Sequence, residues 1–174
     1  MPKIIENAKE QLLAEAKKQI SKRGYAATTV RSVANACGVG VGTVYNYFAS
    51  KEMLIATFVY EDWKRHLGAM KALPTTNPEA LLLGIYEGLK QFAAKNERLF
   101  SDTEAAKLIS GGSRERHKML RDQIASIVLP ACQNANAVYS PLAAEFVAEA
   151  LIAWSMEKAD FEAVYPLLER IIKK

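Results

Sequence analysis

The stretch Thr28-Thr29-Val30-Arg31-Ser32-Val33-Ala34-Asn35-Ala36-Cys37-Gly38-Val39-Gly40-Val41-Gly42-Thr43-Val44-Tyr45-Asn46-Tyr47-Phe48 describes two short helices joined by a tight turn. Thr28 or Thr29 opens the first helix, because a hydroxyl there accepts N–H groups that a helix start leaves without partners. Val30, Val33 and Ala34 fall on its inner face, and the small Ala34 lets a second helix approach closely. Gly38 supplies a backbone conformation that side chains with a Cβ resist, and Val39 plugs the corner. The second helix starts near Val41, turns Val44 and Phe48 inward, and leaves Gly42, Thr43, Tyr45, Asn46 and Tyr47 outside. A helix presented in this way fits the major groove of DNA, where its first residues reach base edges while neighbouring groups touch phosphates.

Outward from this pair, every long segment repeats with a helical period, and no run of alternating apolar residues reads as a strand. Leu12, Leu13, Ala16 and Ile20 form a stripe on a preceding helix that Gly24 stops. A long helix opens at Lys51 and should reach Lys71. Asn77-Pro78 starts the next, which continues to about Lys95. Ser101 and Glu104 form a capping box for a short helix ending at Gly111-Gly112. Ser113 begins a helix that Pro130 should break or kink near Leu129. Ser140-Pro141 opens another to about Glu157, and Asp160 caps the last, which must bend or restart at Pro166. The expected fold is all-α with nine helices.

Charge singles out the same end of the chain. The net charge over 174 residues is +4, and all of it resides in the first 52, which hold eight basic and four acidic side chains. A basic head on a neutral body fits a polyanionic partner that touches the head alone. Lys17, Lys18, Lys22 and Arg23 read as a solvated face that attracts DNA at long range and in a salt-dependent way.

Other classes of function lack their signatures. The only two histidines, His66 and His117, have no cysteine or carboxylate at metal-ligand spacing, so no metal site is expected. The glycines at 38, 40 and 42 do not follow a strand and lack the ending of a phosphate loop. The reading is a protein that is not an enzyme and uses no cofactor. Gln123–Ala144, the longest uncharged stretch, contains Pro130, Gln133, Asn134, Asn136 and Pro141 and so is not a membrane span. Cys37 and Cys132 read as small core residues, and with no signal peptide ahead of them the expected location is the cytoplasm.

The run from Leu12 to Leu54 resembles the TetR family of transcriptional regulators. The resemblance is carried by Gly24-Tyr25, Thr28-Thr29, Ala34, Cys37-Gly38-Val39, Gly42 to Phe48, and Ser50-Lys51-Glu52. It implies a three-helix helix-turn-helix head over residues 1–50, and an effector-binding and dimerisation body over 51–174. It places Val41, Gly42, Thr43 and Asn46 on the recognition helix, with Gly42 and Thr43 against bases. Tyr45, Tyr47 and Lys51 match phosphate-facing positions, and Thr29 and Arg31 lie on the first helix of the motif, whose start also faces phosphate. Two residues depart from the family pattern. Gly40 stands where serine or threonine commonly caps the recognition helix, and Val41 replaces a frequently polar residue, favouring a thymine methyl over a guanine hydrogen bond.

The body carries two further expectations. Trp63, His66 and Met70, together with Tyr86, Leu89, Phe92, Phe100, His117 and Met119, are a core stripe in structural terms. The resemblance implies an effector pocket among them, suited to a small, largely apolar molecule. Ala143, Val147, Ala150, Leu151 and Trp154, followed by Phe161, Val164, Leu168 and Ile171, exceed what a terminal hairpin buries alone, so a two-fold four-helix bundle between subunits should cover them. The resulting reading is a homodimeric regulator of transcription, a repressor that binds a pseudo-palindromic DNA operator and is released by a small, largely apolar effector. Recognition helices about 34–36 Å apart would meet half-sites one turn of DNA apart. The alternative is a helical ligand-binding or protein-interaction module that no longer binds DNA.

Overall fold

Helix starts fall largely where the capping residues stand. The computed structural model describes residues 7–105 and 113–173, and among them the regular elements are all helical. They are α1 (Ala8–Arg23), α2 (Val30–Ala36), α3 (Val41–Tyr47), α4 (Lys51–Lys71), α5 (Pro78–Lys95), α6 (Glu97–Phe100), α7 (Ser113–Asn134), α8 (Ser140–Glu157) and α9 (Phe161–Ile172). Thr29 caps α2, Asn77 Oδ1 accepts from Ala80 N at the start of α5, and Asp160 accepts from Glu162 N at the start of α9.

Three expectations need correction, and at the two prolines one of two open outcomes is excluded. The chain has a short helix, α6, just after Asn96. The cap that follows it is Asp102 rather than Ser101: its Oδ1 accepts from the N–H groups of Glu104 and Ala105 at 3.0 Å. The end expected at Gly111-Gly112 lies outside the described residues. Pro130 and Pro166 sit inside α7 and α9 without ending them. A proline removes one hydrogen bond of the ladder, and the packed faces on either side hold the remaining turns together. At α8 the cap position is Tyr139, in the left-handed conformation, and the Ser140 hydroxyl donates back to the carbonyl of Ala137 (2.9 Å).

The described residues pack into two compact units. The first holds 7–62 and 96–105, and the second holds 63–95 and 113–173. In the first, Leu12, Ala16 and Ile20 of α1 meet Val33 and Ala34 of α2, Val44 of α3 and Leu54 of α4. Leu99 and Ala105, from the second stretch of chain, complete the same core. Arg98 fastens that stretch to α1 by donating to the carbonyls of Ser21 (2.8 Å) and Lys22, so a cation meets the negative end of the helix.

Asp62 is wholly buried in the first unit. Its carboxylate accepts from Lys17 Nζ at 2.6 Å and from Asn96 Nδ2 at 3.3 Å, linking α1, α4 and the start of the second stretch.

The second unit is built on α5, α7 and α8, with α9 against α5 and α8. Leu81, Leu82 and Ile85 of α5, Ile124 and Val128 of α7, and Val147 and Leu151 of α8 form its centre. Gly84 and Gly88 let α4 and the turn after it approach α5. A Cβ at Gly84 would stand 2.7 Å from Leu73 Cδ1, and one at Gly88 would stand 3.0 Å from Met70 Cγ. No helix among the described residues is long and apolar enough to cross a membrane, and no group of three potential metal ligands occurs among them.

Candidate nucleic-acid interface

The α2–α3 pair of the first unit is built from reciprocal contacts. Thr29 Oγ1 accepts from Ser32 N and Thr29 N donates to Ser32 Oγ, both at 3.0 Å, so the start of α2 is closed in both directions. Val30, Val33 and Ala34 face inward. At the corner Gly38 has φ +66°, and Val39 N donates to the carbonyl of Ala34 (3.0 Å), which fixes the turn. Val44 and Phe48 bury the inner side of α3.

The outer side is open. Tyr45 and Tyr47 are 52% and 48% exposed, as are Gly42 and Asn46, while Val41 and Thr43 are half-buried. Thr29 and Arg31 are exposed at the start of α2. The residues expected to meet DNA therefore share one unit, and all but Lys51 lie on or at the start of the two adjoining helices α2 and α3.

Lys51 is placed differently. Its ammonium donates to the carbonyl of Tyr25 (2.6 Å) and lies 3.6 Å above the centre of the Tyr25 ring. Burial lowers its pKa. Tyr25 OH in turn donates to Glu52 Oε1 (3.2 Å), and burial, helped by the Glu52 charge, pushes Tyr25 up to about 12. Lys51 thus locks the start of α4 onto the loop after α1. An ammonium has three hydrogens, so two remain for an outside acceptor.

Glu52 carries a pH dependence. Its carboxyl is held below the ordinary glutamate range, chiefly by the Ser50 hydroxyl, with Tyr25 also donating. A lowered folded value means the stabilisation is present above the unfolded glutamate pKa and is lost as pH falls through the folded one. We expect the stability advantage of wild type over Glu52→Gln to shrink on acidification from about pH 6 to about pH 3. Urea unfolding across that range measures it. An advantage that stays constant would remove the role given to the Glu52 charge.

Gly40 caps α3 without a side-chain hydrogen bond. Its backbone is extended (φ −69°, ψ 149°), and a Cβ there would meet only Thr43 Oγ1, at 3.9 Å. Gly40→Ser should therefore fit, adding a few tenths of a kcal/mol of stability (roughly 0.3) and a hydroxyl at the exposed helix start. Thermal melting would check the first effect and DNA titration the second, with a lowered midpoint counting against an open cap position.

The sequence reading missed two partnerships in this unit. Gln19 joins α1 to Ser32, and Tyr25 joins Lys51 to Glu52. The i, i+4 series Glu15-Gln19-Arg23 and the nearness of polar pairs to Gly24-Tyr25 were the available signals.

The residues expected in an effector pocket are divided between the two units. Trp63, Met70, Tyr86 and Leu89 are buried in the core of the second unit, while Phe100 belongs to the first. Tyr86 is wholly buried, and its hydroxyl donates to the backbone carbonyls of Trp154 (3.3 Å) and Ala159, which closes the end of α8. Trp63 and His66 each contact Phe92 edge-on, at 5.2 and 5.6 Å between ring centres, and Trp63 Nε1 donates to Gln123 Oε1 (2.7 Å). His117 and Met119 face solvent on α7, where His117 Nε2 lies 2.7 Å from Glu149 Oε1. That part of α7 borders an open cleft of about 570 Å³ lined by Arg114, His117, Lys118 and Arg121, a basic surface rather than an apolar one.

The residues expected at a subunit contact differ in burial. Ala143, Val147, Ala150, Leu151, Phe161 and Leu168 are buried within their own chain, where α8 packs against α5 and α7. Trp154, Val164 and Ile171 are half-buried. The large apolar side chains left exposed on these two helices are Leu142, Phe146, Met156 and Leu167.

Residues 12–57 match the family of bacterial regulatory proteins, tetR family. The transcriptional regulator HbdR of Aromatoleum sp. (strain CIB) is 33% identical over 54 residues, covering 31% of this chain and 24% of HbdR. The transcriptional repressor KstR2 of Mycobacterium tuberculosis is 28% identical over 97 residues, covering 52% of this chain and 48% of KstR2. The matching segments thus span between about a quarter and about half of these relatives' length. Over nearly the whole chain the fold is that of the fatty acid degradation regulator FadR from Bacillus halodurans, with TM-score 0.61, 20% identity, and 98% of this chain and 96% of that one covered. It is likewise the fold of BioQ, solved with its natural double-stranded DNA operator, with TM-score 0.62, 19% identity, and 96% and 98% covered.

Proposed function

We propose that the chain is a cytoplasmic, homodimeric DNA-binding regulator of transcription of the TetR type, a reading supported by the match of residues 12–57 to that family. The observation that carries the reading is α3. Val44 and Phe48 anchor it, while Tyr45, Asn46 and Tyr47 are exposed, as are Thr29 and Arg31 at the start of α2. A small helix fastened on one side and open on the other can enter a major groove without unfolding anything else. Residues 1–50 would make the contacts with DNA, and residues 51–174 would hold the effector and the partner subunit.

The exposed Leu142, Phe146, Met156 and Leu167 support association of two chains through α8 and α9. A two-fold pair of such chains suits a pseudo-palindromic operator. For release, a small, largely apolar effector would bind in the second unit, near the Trp63–His66–Phe92 cluster. Helix α4 has its first residues in one unit and its last in the other, so it is the covalent route between effector and DNA. Driving operator-competent molecules from 99% to 1% needs a preference of about 5.5 kcal/mol for the released state.

A gel-shift titration with the DNA flanking the chain's own gene tests the reading, alongside a duplex of shuffled sequence. The expected result is a salt-sensitive shift of the flanking DNA at lower protein concentration than the shuffled duplex. Absence of any shift at low salt would favour the ligand-binding or protein-interaction module instead.

A further inference from the structure

Gln19 is a buried amide whose hydrogen-bonding capacity is fully used. Its Nε2 donates to Glu15 Oε1 (2.9 Å) and to the carbonyl of Ser32 (3.1 Å). Its Oε1 accepts from Ser32 Oγ (2.6 Å) and from Arg23 Nη2. The orientation of the amide follows from chemistry: a guanidinium only donates and a carboxylate only accepts, so the oxygen must face Arg23 and the nitrogen Glu15. Gln19 is 7% exposed, so these four bonds form where water competes poorly.

The guanidinium of Arg23 is thereby held at the Thr29–Ser32 turn, since it shares one acceptor atom with the Ser32 hydroxyl. It differs from its neighbours in what holds it. Lys17 is paired with Asp62 and Lys18 with Glu15, so both charges are largely offset. Arg23 is exposed and oriented by a neutral oxygen, and among the described residues no ion pair to a carboxylate involves it. Its charge is intact, and among the described residues its N–H groups have no acceptor besides Gln19. A planar fork of donors fixed in this way matches the oxygens of a phosphate.

We propose that Arg23 is a phosphate-contacting residue of the DNA interface and that Gln19 is its positioning residue. This rests on the DNA-binding reading and adds to it a cation at the end of α1, outside the α2–α3 pair. The free energy of orienting the guanidinium is spent on folding, so less is lost when it meets the backbone of a duplex.

The test uses the full chain and a duplex recovered by selection from random DNA, with affinity measured by fluorescence anisotropy between about 50 and 200 mM salt. Arg23→Gln should reduce the slope of log affinity against log salt by about 0.9 per subunit, or about 1.8 for a dimer. Lys22→Gln removes the same charge one residue away and should change the slope by much less. Gln19→Leu keeps Arg23 but should move the slope in the same direction as Arg23→Gln, whereas Arg23→Lys should restore most of it. A purely structural role for Gln19 would lower the melting temperature and leave the slope alone. Equal slopes for Arg23→Gln and Lys22→Gln, with wild type binding normally, would overturn the assignment of Arg23 alone. Wild-type protein that binds no duplex would overturn the DNA reading and this proposal with it. Arg23 is a surface residue, so the variant at that position keeps the test decisive even if Gln19→Leu fails to fold.

Discussion

Replacing Tyr45 and Tyr47 together by alanine should lower affinity for the selected operator by on the order of 1,000-fold and leave the fold intact. Each side chain is about half exposed, and neither belongs to the core of its unit. Tyrosine hydroxyls on phosphate are worth about 1 kcal/mol apiece, so four across a dimer amount to about 4 kcal/mol, or roughly three decades. Stability should hold or rise slightly, because alanine is the better helix former by a few tenths of a kcal/mol, roughly 0.4 for each site. The paired Tyr→Phe variants separate the two parts of the side chain. If the hydroxyls make the contact, phenylalanine loses most of what alanine loses; if the rings pack against sugar, it loses little. Unchanged operator affinity in the double alanine variant, with the helix content of wild type, would remove these two residues from the interface.

The second large effect is expected at Asp62, and it bears on stability. Its carboxylate is wholly buried and holds Lys17 Nζ at 2.6 Å. Breaking a buried pair by removing one member costs about 3–5 kcal/mol, because the remaining charge has been taken from water without compensation. The Lys17 side chain is 24% exposed and can regain part of its hydration. Asp62→Ala should accordingly destabilise the first unit by about 3 kcal/mol, near the lower end. Lys17→Met leaves the charge at the fully buried position and should cost more. Joint replacement of the pair by apolar residues of similar volume should be milder than either single change. Urea unfolding of the four proteins measures the series, and a double variant as unstable as the sum of the singles would show that the pair is not acting as a unit.

Helix positions were legible wherever one residue had a single job. Thr29, Asn77 and Asp160 announce helix starts because their side chains accept N–H groups, and the structure uses them so. Ser101 and Asp102 compete for one role, and sequence spacing favoured the serine of a capping box while the carboxylate took the N–H groups. The two prolines left a break and a bend both open, and burial decided against the break. Pro130 and Pro166 each remove one hydrogen bond locally, but whether a helix survives that loss is decided by burial of its neighbours, such as Ala131 and Cys132 after the first and Leu168 after the second.

Direction was harder to read than position. In α8, Leu142, Ala143, Ala144, Phe146, Val147 and Ala148 are apolar on nearly every side, so no stripe tells the inner face from the outer. Val147 went inward and Phe146 outward. In α3 the two faces differ sharply in chemistry, which is why Val44 and Phe48 could be separated from Tyr45 and Tyr47 by spacing alone. The contacts of Gln19 and Lys51 were invisible for another reason. Each depends on a partner in a different element, 13 or 26 positions away, and a side chain's own sequence carries no sign of it.

The core of the first unit is closed by Leu99 and Ala105, which arrive after more than thirty residues that belong elsewhere. Synthesis from the amino end therefore exposes Leu12, Val33, Val44 and Phe48 as a complete three-helix motif before the side chains that seal it have been made. Domains fold as units during translation, so this one has to wait while the segment Trp63–Lys95 is threaded out. The same interruption means that the motif cannot be exchanged between regulators as a contiguous cassette ending at α4. A graft that omitted residues 96–105 would transplant the exposed face of α2 and α3 without the plug that keeps the core beneath it shut.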